Sequence, residues 1–420
     1  MENIIADDIG IKKLGNKQAK GDFQNAYTNN QWYCFQAKQM VFFTAFSNES
    51  PNKDDLIKMA KRLIRLAPQL GSGFDGAIDN EPLSEKILTQ ITDVEQVDGF
   101  DEYPQKWDVS GNDVFASPNL PFFRIKAVVR NKGADEQGRA SMIMIISTHA
   151  LIEGADSSLL SRSRAATKND IIVKPKGTPK IKIFGFNCLA TILAPLQLLG
   201  AQFLVPKKVD ANYRALSIER EKIKRVCEKL GVSQRALIFA LALFALNDGG
   251  KGFSKKSISS IYADMNDSGQ FQTNDDFFRF RMVDIKLKVT SDFLSFVKNV
   301  DEAIKLIESN NATKTQNLLN AMFGMHRRFK NALPFLYRGR VFRFNGGYDV
   351  SLSLLPPQRL FGGITKGMME PIYAGTFHPG MNMCVFAPGR TQVTFNFSLQ
   401  KRHLKNVDRI VSLLDEIDSE

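Results

Sequence analysis

The sequence predicts an α/β protein of two domains, each of which combines strands with helices. The chain has 420 residues, and hydrophobic cores tend to split once a chain exceeds roughly 250 to 300 residues. Both halves contain stretches with the two-residue period of strands and stretches with helical spacing, which is the pattern of α/β layers. A stretch rich in Lys, Pro and Gly at residues 174–182 is typical of a linker between the halves.

Three segments of the first half have a clear period. Asn52 can cap a helix that ends near Pro68, because apolar residues recur between them at helical spacing. Residues 123–130 alternate apolar and mostly basic side chains, which predicts a strand with one face in water. Residues 141–147 are apolar throughout their middle, which predicts a central strand buried on both faces. His149 stands at the end of that strand.

The second half begins with a helix that we predict from Ser217, with Gly231 as its C-terminal cap. A second helix from Ser233 is apolar on all sides, which indicates that it is buried. Residues 283–289 alternate as a strand does, and an amphipathic helix follows them. Residues 393–399 alternate again, and a helix is predicted to end the chain.

These elements predict an N-terminal domain at 1–170, a linker at 171–212 and a C-terminal domain at 213–420. Within the linker, the segment from Ile183 to Val205 has no charged residue and is flanked by Lys. One helix of this length measures about 35 Å, enough to span a bilayer core of roughly 30 Å, but Pro195 would kink it. We therefore expect the segment to dip into an anionic membrane surface, because both Lys-rich flanks can lie on one leaflet. The alternative is a buried helix or an interdomain crossover inside the protein.

The net charge of the chain narrows the classes of molecule that it could bind. The formal net charge is +12, which favours an acidic partner such as nucleic acid, an anionic membrane, coenzyme A or an acidic carrier protein. Nucleic acid is not expected, because the Lys and Arg residues are spread along the chain and no nucleic-acid-binding motif is present.

The four cysteines form no C-x-x-C pair, and the N-terminus lacks the features of a signal peptide. We expect a cytoplasmic protein.

A histidine motif follows the predicted buried strand directly. In the string Ser-Thr-His-Ala-Leu-Ile-Glu-Gly-Ala-Asp at 147–156, His149 is followed four residues later by Glu153 and then by Gly154. An imidazole has a near-neutral pKa, which suits it to take a proton from an attacking alcohol or amine. From the residues alone an alternative stays open, in which His149 is a hydrogen-bonded core histidine and the Glu-Gly pair is an ordinary turn.

Other catalytic and metal-binding motifs have less support. The string at 71–76 matches G-x-G-x-x-G, but a predicted helix precedes it where a dinucleotide site requires a strand. The sequence contains no G-x-S-x-G elbow, no G-x-x-x-x-G-K phosphate loop and no H-E-x-x-H helix. His326, His378 and His403 have no ligand spacing, so we expect surface or hydrogen-bonded histidines and no metal site.

The histidine motif resembles the H-x-x-x-D-G signature of the coenzyme A-dependent acyltransferases. That superfamily includes chloramphenicol acetyltransferase, nonribosomal peptide condensation domains and the wax ester synthase/diacylglycerol acyltransferase branch, which the chain resembles most. Glu153 stands in the place of the Asp, and Thr148 in the place of a His that often precedes the motif. Three more stretches are similar to this family in the same order, at 117–125, 221–238 and 353–363.

The resemblance implies two chloramphenicol acetyltransferase-like domains, with mixed sheets flanked by helices and an active-site tunnel between them. It implies an acyltransferase whose general base, His149, lets a hydroxyl of an apolar or lipid acceptor attack an acyl-coenzyme A thioester. Glu153 and Gly154 would shape the turn. A hydrogen-bond donor would stabilise the oxyanion, and the strand at 262–266 and the segment at Ser353 are the two candidates for it, without a choice between them.

The same resemblance implies no bound cofactor, because acyl-coenzyme A, or an acyl carrier in its place, serves as a co-substrate. The uncharged segment from Ile183 to Val205 adds the expectation that this cytoplasmic protein lies peripherally on the inner face of the membrane. Two alternatives stay open. One is condensation-type transfer to a small polar or carrier-bound acceptor, and the other is a catalytically silent protein that binds acyl chains or lipids.

Overall fold

The computed structural model describes strands and helices from both halves of the chain. The described residues are 34–35, 37–66, 68–71, 83–116, 120–151, 204–206, 211–247, 257–265, 280–288, 290, 292–309, 324, 327–328, 332, 340–342, 349–355, 368–378 and 381–419. The strands are β1 (Met40–Ser47), β2 (Thr92–Val97), β3 (Phe123–Arg130), β4 (Ser141–Thr148), β5 (Leu204–Pro206), β6 (Ala211–Glu219), β7 (Ser257–Met265), β8 (Phe280–Lys288), β9 (Arg340–Phe342), β10 (Val350–Leu354), β11 (Met368–Phe377), β12 (Met383–Pro388) and β13 (Gln392–Gln400). The helices are α1 (Lys53–Leu66), α2 (Glu85–Ile91), α3 (Asn112–Ala116), α4 (Arg220–Leu230), α5 (Gln234–Asn247), α6 (Phe293–Ser309), α7 (Lys401–Leu404) and α8 (Arg409–Ser419).

The first sheet is mixed and has five strands in the order β11-β1-β4-β3-β2. Its strands pair antiparallel except for β2 and β3, which run parallel. The central strands β1 and β4 are buried along their whole length. The edge strand β11 comes from the C-terminal half of the chain, so that half contributes a strand that the predicted boundaries 1–170 and 213–420 do not assign to the first domain.

The second sheet is also mixed and has six strands in the order β6-β13-β12-β10-β7-β8. β10 runs parallel to both β7 and β12, and the other pairs are antiparallel. Apolar residues of α4, α5, α6 and α8 form one core with this sheet. The predicted α/β architecture of two units, with mixed sheets flanked by helices, is therefore confirmed.

Several elements begin and end close to their predicted positions because their local signals are strong. The Asn52 side chain accepts a hydrogen bond from the backbone N–H of Asp55 at 3.0 Å, as a residue that caps a helix does. α4 ends at Gly231, which has a positive φ of 66° and so adopts the left-handed conformation that favours glycine. α5, predicted to be buried, is buried from Ala236 to Asn247.

Two details of the predicted elements are wrong. β3 does not have one face in water, because Arg124 is only 6% exposed. Its guanidinium donates to three backbone carbonyl oxygens at 2.7, 2.7 and 2.9 Å, and burial lowers its pKa. The helix predicted from Ser217 begins instead at Arg220, because residues 211–219 pair with β13 as a strand.

The uncharged segment from Ile183 to Val205 lies outside the described residues except at its end. Its last two residues belong to β5, which pairs antiparallel with β9. Within the described ranges no single helix has both the length and the apolar composition needed to cross a membrane. α4 and α5 meet that criterion only as a pair, across a bend of 98°.

A buried carboxylate of α6 supports the N-terminus of α5. Asp301 is 4% exposed, and one of its oxygens accepts hydrogen bonds from the backbone N–H of Ser233 at 3.1 Å and from its hydroxyl at 2.7 Å. The other oxygen forms an ion pair with Lys305 at 2.6 Å. Burial alone would raise the pKa of Asp301, but the hydrogen bonds from Lys305 and Ser233 outweigh it and lower that pKa.

We expect Asp301→Ala to lower the free energy of unfolding by about 1 to 3 kcal/mol at pH 7, because Ser233 loses a charged acceptor. A carboxylate with a lowered pKa stabilises the fold above its unfolded pKa, about 3.9, and this contribution is lost as the pH falls through the folded pKa. The difference in urea unfolding between wild type and Asp301→Asn should therefore be largest at pH 7 and should shrink as the pH falls below about 3.9 toward the folded pKa. Asp418, whose pair with Arg225 lies on the surface, provides the control variant Asp418→Ala, which should change the free energy of unfolding much less than Asp301→Ala. A difference between wild type and Asp301→Asn that is independent of pH would contradict this role.

Candidate active site

The two sheets meet where β11 and β1 face β6 and β13. The Thr394 hydroxyl donates to the carbonyl oxygen of Ile372 in β11 at 2.6 Å. The ring of Tyr213 in β6 packs edge-on against Phe42 in β1, with centroids 4.9 Å apart, and its hydroxyl donates to Asn396 Oδ1 at 2.8 Å. Buried polar and aromatic contacts therefore join the first sheet to the second.

His149 lies one residue beyond the end of β4, in a short turn at the end of the first sheet. Its backbone N–H donates to the carbonyl oxygen of Gln39 at 2.8 Å, and the Thr148 hydroxyl donates to the same oxygen at 3.3 Å. The N–H of Leu151 donates to the carbonyl oxygen of Thr148 at 3.1 Å and closes the turn. His149 is partly exposed, whereas every residue of β4 is buried. β4 therefore holds His149 at the end of the first sheet, as a partly exposed residue whose Nδ1 is buried.

Residues 120–125, the described part of the family-like stretch at 117–125, lie beside the histidine strand β4. The carbonyl oxygen of Phe122 accepts hydrogen bonds from the N–H of Thr148 at 3.2 Å and from the Ser147 hydroxyl at 3.1 Å. The Phe122 ring packs edge-on against Phe35 at 5.2 Å. The structure therefore brings together two stretches whose resemblance to the family was noted separately.

The two oxyanion candidates lie in neighbouring strands of the second sheet. β7 contains Tyr262 and β10 contains Ser353, and the two strands pair in parallel with Leu352 opposite Tyr262 and Ser353 opposite Ala263. The predictions for Glu153 and Gly154 fall outside the described residues and stay predictions.

The structure places a second histidine at the same end of the first sheet. Met40 pairs with Thr148 on one side and with Phe377 on the other, so His149 and His378 each lie one residue beyond these partners, on either side of Gln39. Strands lie about 4.8 Å apart, so the two histidine backbones are about 10 Å apart. His378 is 1% exposed. Sequence reasoning missed this neighbour because only the pairing of β11 with β1 brings the two residues together.

Of the remaining histidines, His403 matches the prediction of a hydrogen-bonded histidine. It is 2% exposed, and its Nε2 accepts a hydrogen bond from Arg402 Nε at 3.1 Å. Burial, with a smaller contribution from the charge of Arg402, lowers the pKa of His403 to about 4. His326 lies outside the described residues. In the part of the chain that the structure describes, no three His, Cys, Asp or Glu side chains come together as metal ligands.

Comparison with known proteins identifies the fold. No family model matches the chain, and no curated protein matches its sequence. Among solved structures, trichothecene 15-O-acetyltransferase from Fusarium sporotrichioides is 12% identical, with 93% of each chain covered and a TM-score of 0.54. A nonribosomal peptide synthetase cyclization-docking bidomain from Sorangium cellulosum is 10% identical, with 94% of this chain and 85% of that chain covered and a TM-score of 0.52.

The wax ester synthase/diacylglycerol acyltransferase from Marinobacter aquaeolei VT8 is 14% identical, with 91% of this chain and 92% of that chain covered and a TM-score of 0.47. That score does not distinguish its branch from the others. At these identities the similarity is one of fold. The chain therefore has the same two-domain α/β fold as the solved trichothecene 15-O-acetyltransferase and the peptide synthetase cyclization-docking bidomain.

Proposed function

We propose that this chain is an acyltransferase that moves an acyl group from acyl-coenzyme A to a hydroxyl of an apolar or lipid acceptor, with His149 as the general base. The observation that carries the proposal is the position of His149, partly exposed at the end of a buried strand whose turn is fixed by backbone hydrogen bonds. A base held on a rigid element contributes roughly 10² to 10⁴ in rate, provided that it reaches the proton it removes.

The proposed reaction is direct transfer in a complex that holds donor and acceptor together. His149 takes the proton of the acceptor hydroxyl while the oxygen attacks the thioester carbonyl carbon, and a tetrahedral intermediate forms. The carbon–sulfur bond then breaks, and the leaving thiolate receives the proton from His149. The products are an ester and free coenzyme A, and the imidazole is neutral again. Holding both substrates side by side supplies the orientation that solution lacks, and a hydrogen-bond donor would stabilise the oxyanion.

The access route in this proposal is a tunnel along the contact between the two sheets. β11 belongs to the first sheet by its pairing with β1, and it is bonded to the second sheet through Thr394. Substrates that enter from opposite ends of this contact would meet near the end of β4, where His149 lies.

Release of free thiol from acyl-coenzyme A, followed with a thiol reagent, tests the function. We expect release to require a long-chain alcohol or diacylglycerol and to be slow with water alone. Release only with polar amines or a carrier-bound acceptor would replace this function with condensation-type transfer. Binding of acyl-coenzyme A without release, for every acceptor, would indicate a silent acyl-binding protein.

The net charge of +12 leads to a prediction about the donor. Lys and Arg contacts to the phosphates of coenzyme A are screened as salt rises, because the Debye length falls from about 10 Å at 0.1 M to about 3 Å at 1 M. We expect the affinity for acyl-coenzyme A to fall at least about threefold over this range, measured by titration calorimetry. Acyl-pantetheine, which lacks these phosphates, is the control and should bind independently of salt. Equal salt dependence for the two ligands would contradict a phosphate-binding surface.

A further proposal concerns the route of an apolar acceptor. The uncharged segment from Ile183 to Val205 is flanked by Lys, and each Lys near an anionic surface contributes about 1 kcal/mol to binding. We expect the protein to float with anionic vesicles in a density gradient, and to float less with neutral vesicles. The segment's contribution is tested by replacing four of its apolar residues together with Ser, namely Phe184, Phe186, Leu198 and Leu199. Wild-type protein that stays at the bottom of the gradient with both vesicle types would exclude the membrane route.

A further inference from the structure

Gln39 forms hydrogen bonds on two sides of β1. Its carbonyl oxygen holds the His149 turn, as described above, and its side-chain amide donates to Thr376 Oγ1 in β11 at 3.3 Å. The Thr376 hydroxyl in turn donates to the carbonyl oxygen of Met40 at 2.9 Å. One residue therefore contacts the turn of the proposed base with its main chain and the end of β11 with its side chain.

This pair is polar although it is buried among apolar neighbours. Gln39 is 9% exposed and Thr376 is 7% exposed, while Met40, Val41 and Phe377 are exposed by 0%, 4% and 3%. Apolar side chains could fill the same space without needing a hydrogen-bond partner. A buried hydrogen-bonded pair instead fixes one geometry, because any other arrangement leaves polar groups without partners.

The hydrogen bonds of Gln39 and Thr376 also connect the two halves of the chain. β11 follows β10 in the C-terminal half and is bonded to the second sheet through Ile372. A shift of β11 along β1 would break the bond between Gln39 and Thr376. The backbone N–H of Gln39 would still donate to the carbonyl oxygen of Cys34 at 2.8 Å, but its side chain would lose the contact that ties the residue holding His149 to β11.

We propose that Gln39 and Thr376 are positioning residues that set the place of His149 according to how β11 is docked. The proposal rests on the proposed function, because it assigns these residues to an active site whose base is His149. If this proposal is right, His149 acts as a base only when the C-terminal half of the chain is packed against the first sheet.

The test compares Thr376→Val, which keeps the shape of Thr but removes the hydroxyl, with Thr376→Ser, which keeps the hydroxyl. Gln39→Leu removes the amide and provides a second variant should Thr376→Val fail to fold. The matched control is Ser141→Ala, because Ser141 is also a buried residue and its hydroxyl donates to the carbonyl oxygen of Glu49 at 2.6 Å. Ser141 lies at the opposite end of β4, so this control removes a similar bond far from His149.

We expect kcat for thiol release to fall about tenfold or more in Thr376→Val and Gln39→Leu, since small misplacements of a catalytic group have large effects. KM for the donor should change little, and Thr376→Ser should keep nearly the wild-type kcat. Ser141→Ala should lose stability but not kcat when it is assayed well below its melting temperature. An equal loss of kcat in Ser141→Ala would show that the effect is general destabilisation and would overturn the proposal.

A second readout does not depend on activity. The chain has four histidines, so the side-chain NMR signal of His149 in histidine-labelled protein can be identified by its loss in His149→Ala. This signal should shift in Thr376→Val and Gln39→Leu, and it should stay in place in Thr376→Ser and Ser141→Ala. An unmoved His149 signal in both disruptive variants would overturn the positioning role. Wild-type protein without transfer activity would refute the proposed function, and the NMR result would still decide whether the pair positions His149.

Discussion

Replacement of His149 by alanine is expected to lower the rate of acyl transfer by about 10²-fold or more while the protein remains folded. The fold should persist because the hydrogen bond from residue 149 to Gln39 uses the backbone N–H, which alanine keeps. His149 is a partly exposed residue beyond the end of β4, and every residue of that strand keeps its buried side chain in the variant. The measurement is thiol release under saturating donor and acceptor, with circular dichroism and melting temperature recorded on the same samples.

The matched control for this variant is His403→Gln in α7. His403 is a buried histidine whose hydrogen bond comes from Arg402, so we expect its replacement to lower the melting temperature with little effect on kcat. Glu153→Ala should lower both stability and activity if Glu153 shapes the turn, as the resemblance implies. Normal turnover by folded His149→Ala would refute the role of His149 as the base.

The sequence predicts where the helices and strands of this fold lie better than it predicts which strands pair. α5 and β4 are recognisable because burial on all sides leaves continuous apolar runs at 236–246 and at 142–146. Gly231 is recognisable because a left-handed cap favours glycine. These signals are local, so they locate helices and strands but do not say which strands pair.

The errors arise where distant residues decide the environment. Arg124 looks like a residue on the wet face of a strand, yet backbone carbonyl oxygens from outside its own strand allow its burial. Ser217 looks like a helix start, but pairing with β13 extends the strand as far as Glu219. The carbonyl oxygen of Asp113 and the strand β13 both lie outside the window in which a period can be recognised.

Some residues of the candidate site could be predicted from local sequence patterns, and others could not. His149 could be predicted because it follows a buried strand and belongs to a motif. Gln39, Thr376 and His378 could not, because their common position depends on the pairing of β11 with β1. No local pattern indicates that a strand of the C-terminal half completes the first sheet.

The Phe42 side chain forms an aromatic contact between the two sheets. Phe42 is fully buried in the middle of β1, and it contacts Tyr213 of β6. On β11 it lies opposite Gly375, where a Cβ would collide with the Phe42 ring. Glycine at this position therefore lets the aromatic ring cover β11, and Phe42 contacts elements of both halves.

We expect Phe42→Ala to lower the free energy of unfolding by about 3 to 5 kcal/mol, the usual range for removal of a buried Phe. It should also lower transfer activity in the folded fraction, because β1, β11 and β6 lose the side chain that joins them. Urea unfolding measures the first effect, and kcat at low temperature measures the second.

Phe397→Ala is the matched control, since Phe397 is as buried as Phe42 but belongs to the core of the second sheet. Phe397→Ala should lose similar stability and keep its kcat, and Gly375→Ala should resemble a milder Phe42→Ala because it displaces the same ring. Equal loss of kcat per folded molecule in Phe42→Ala and Phe397→Ala would mean that activity follows stability alone, and that docking of the two sheets does not control His149.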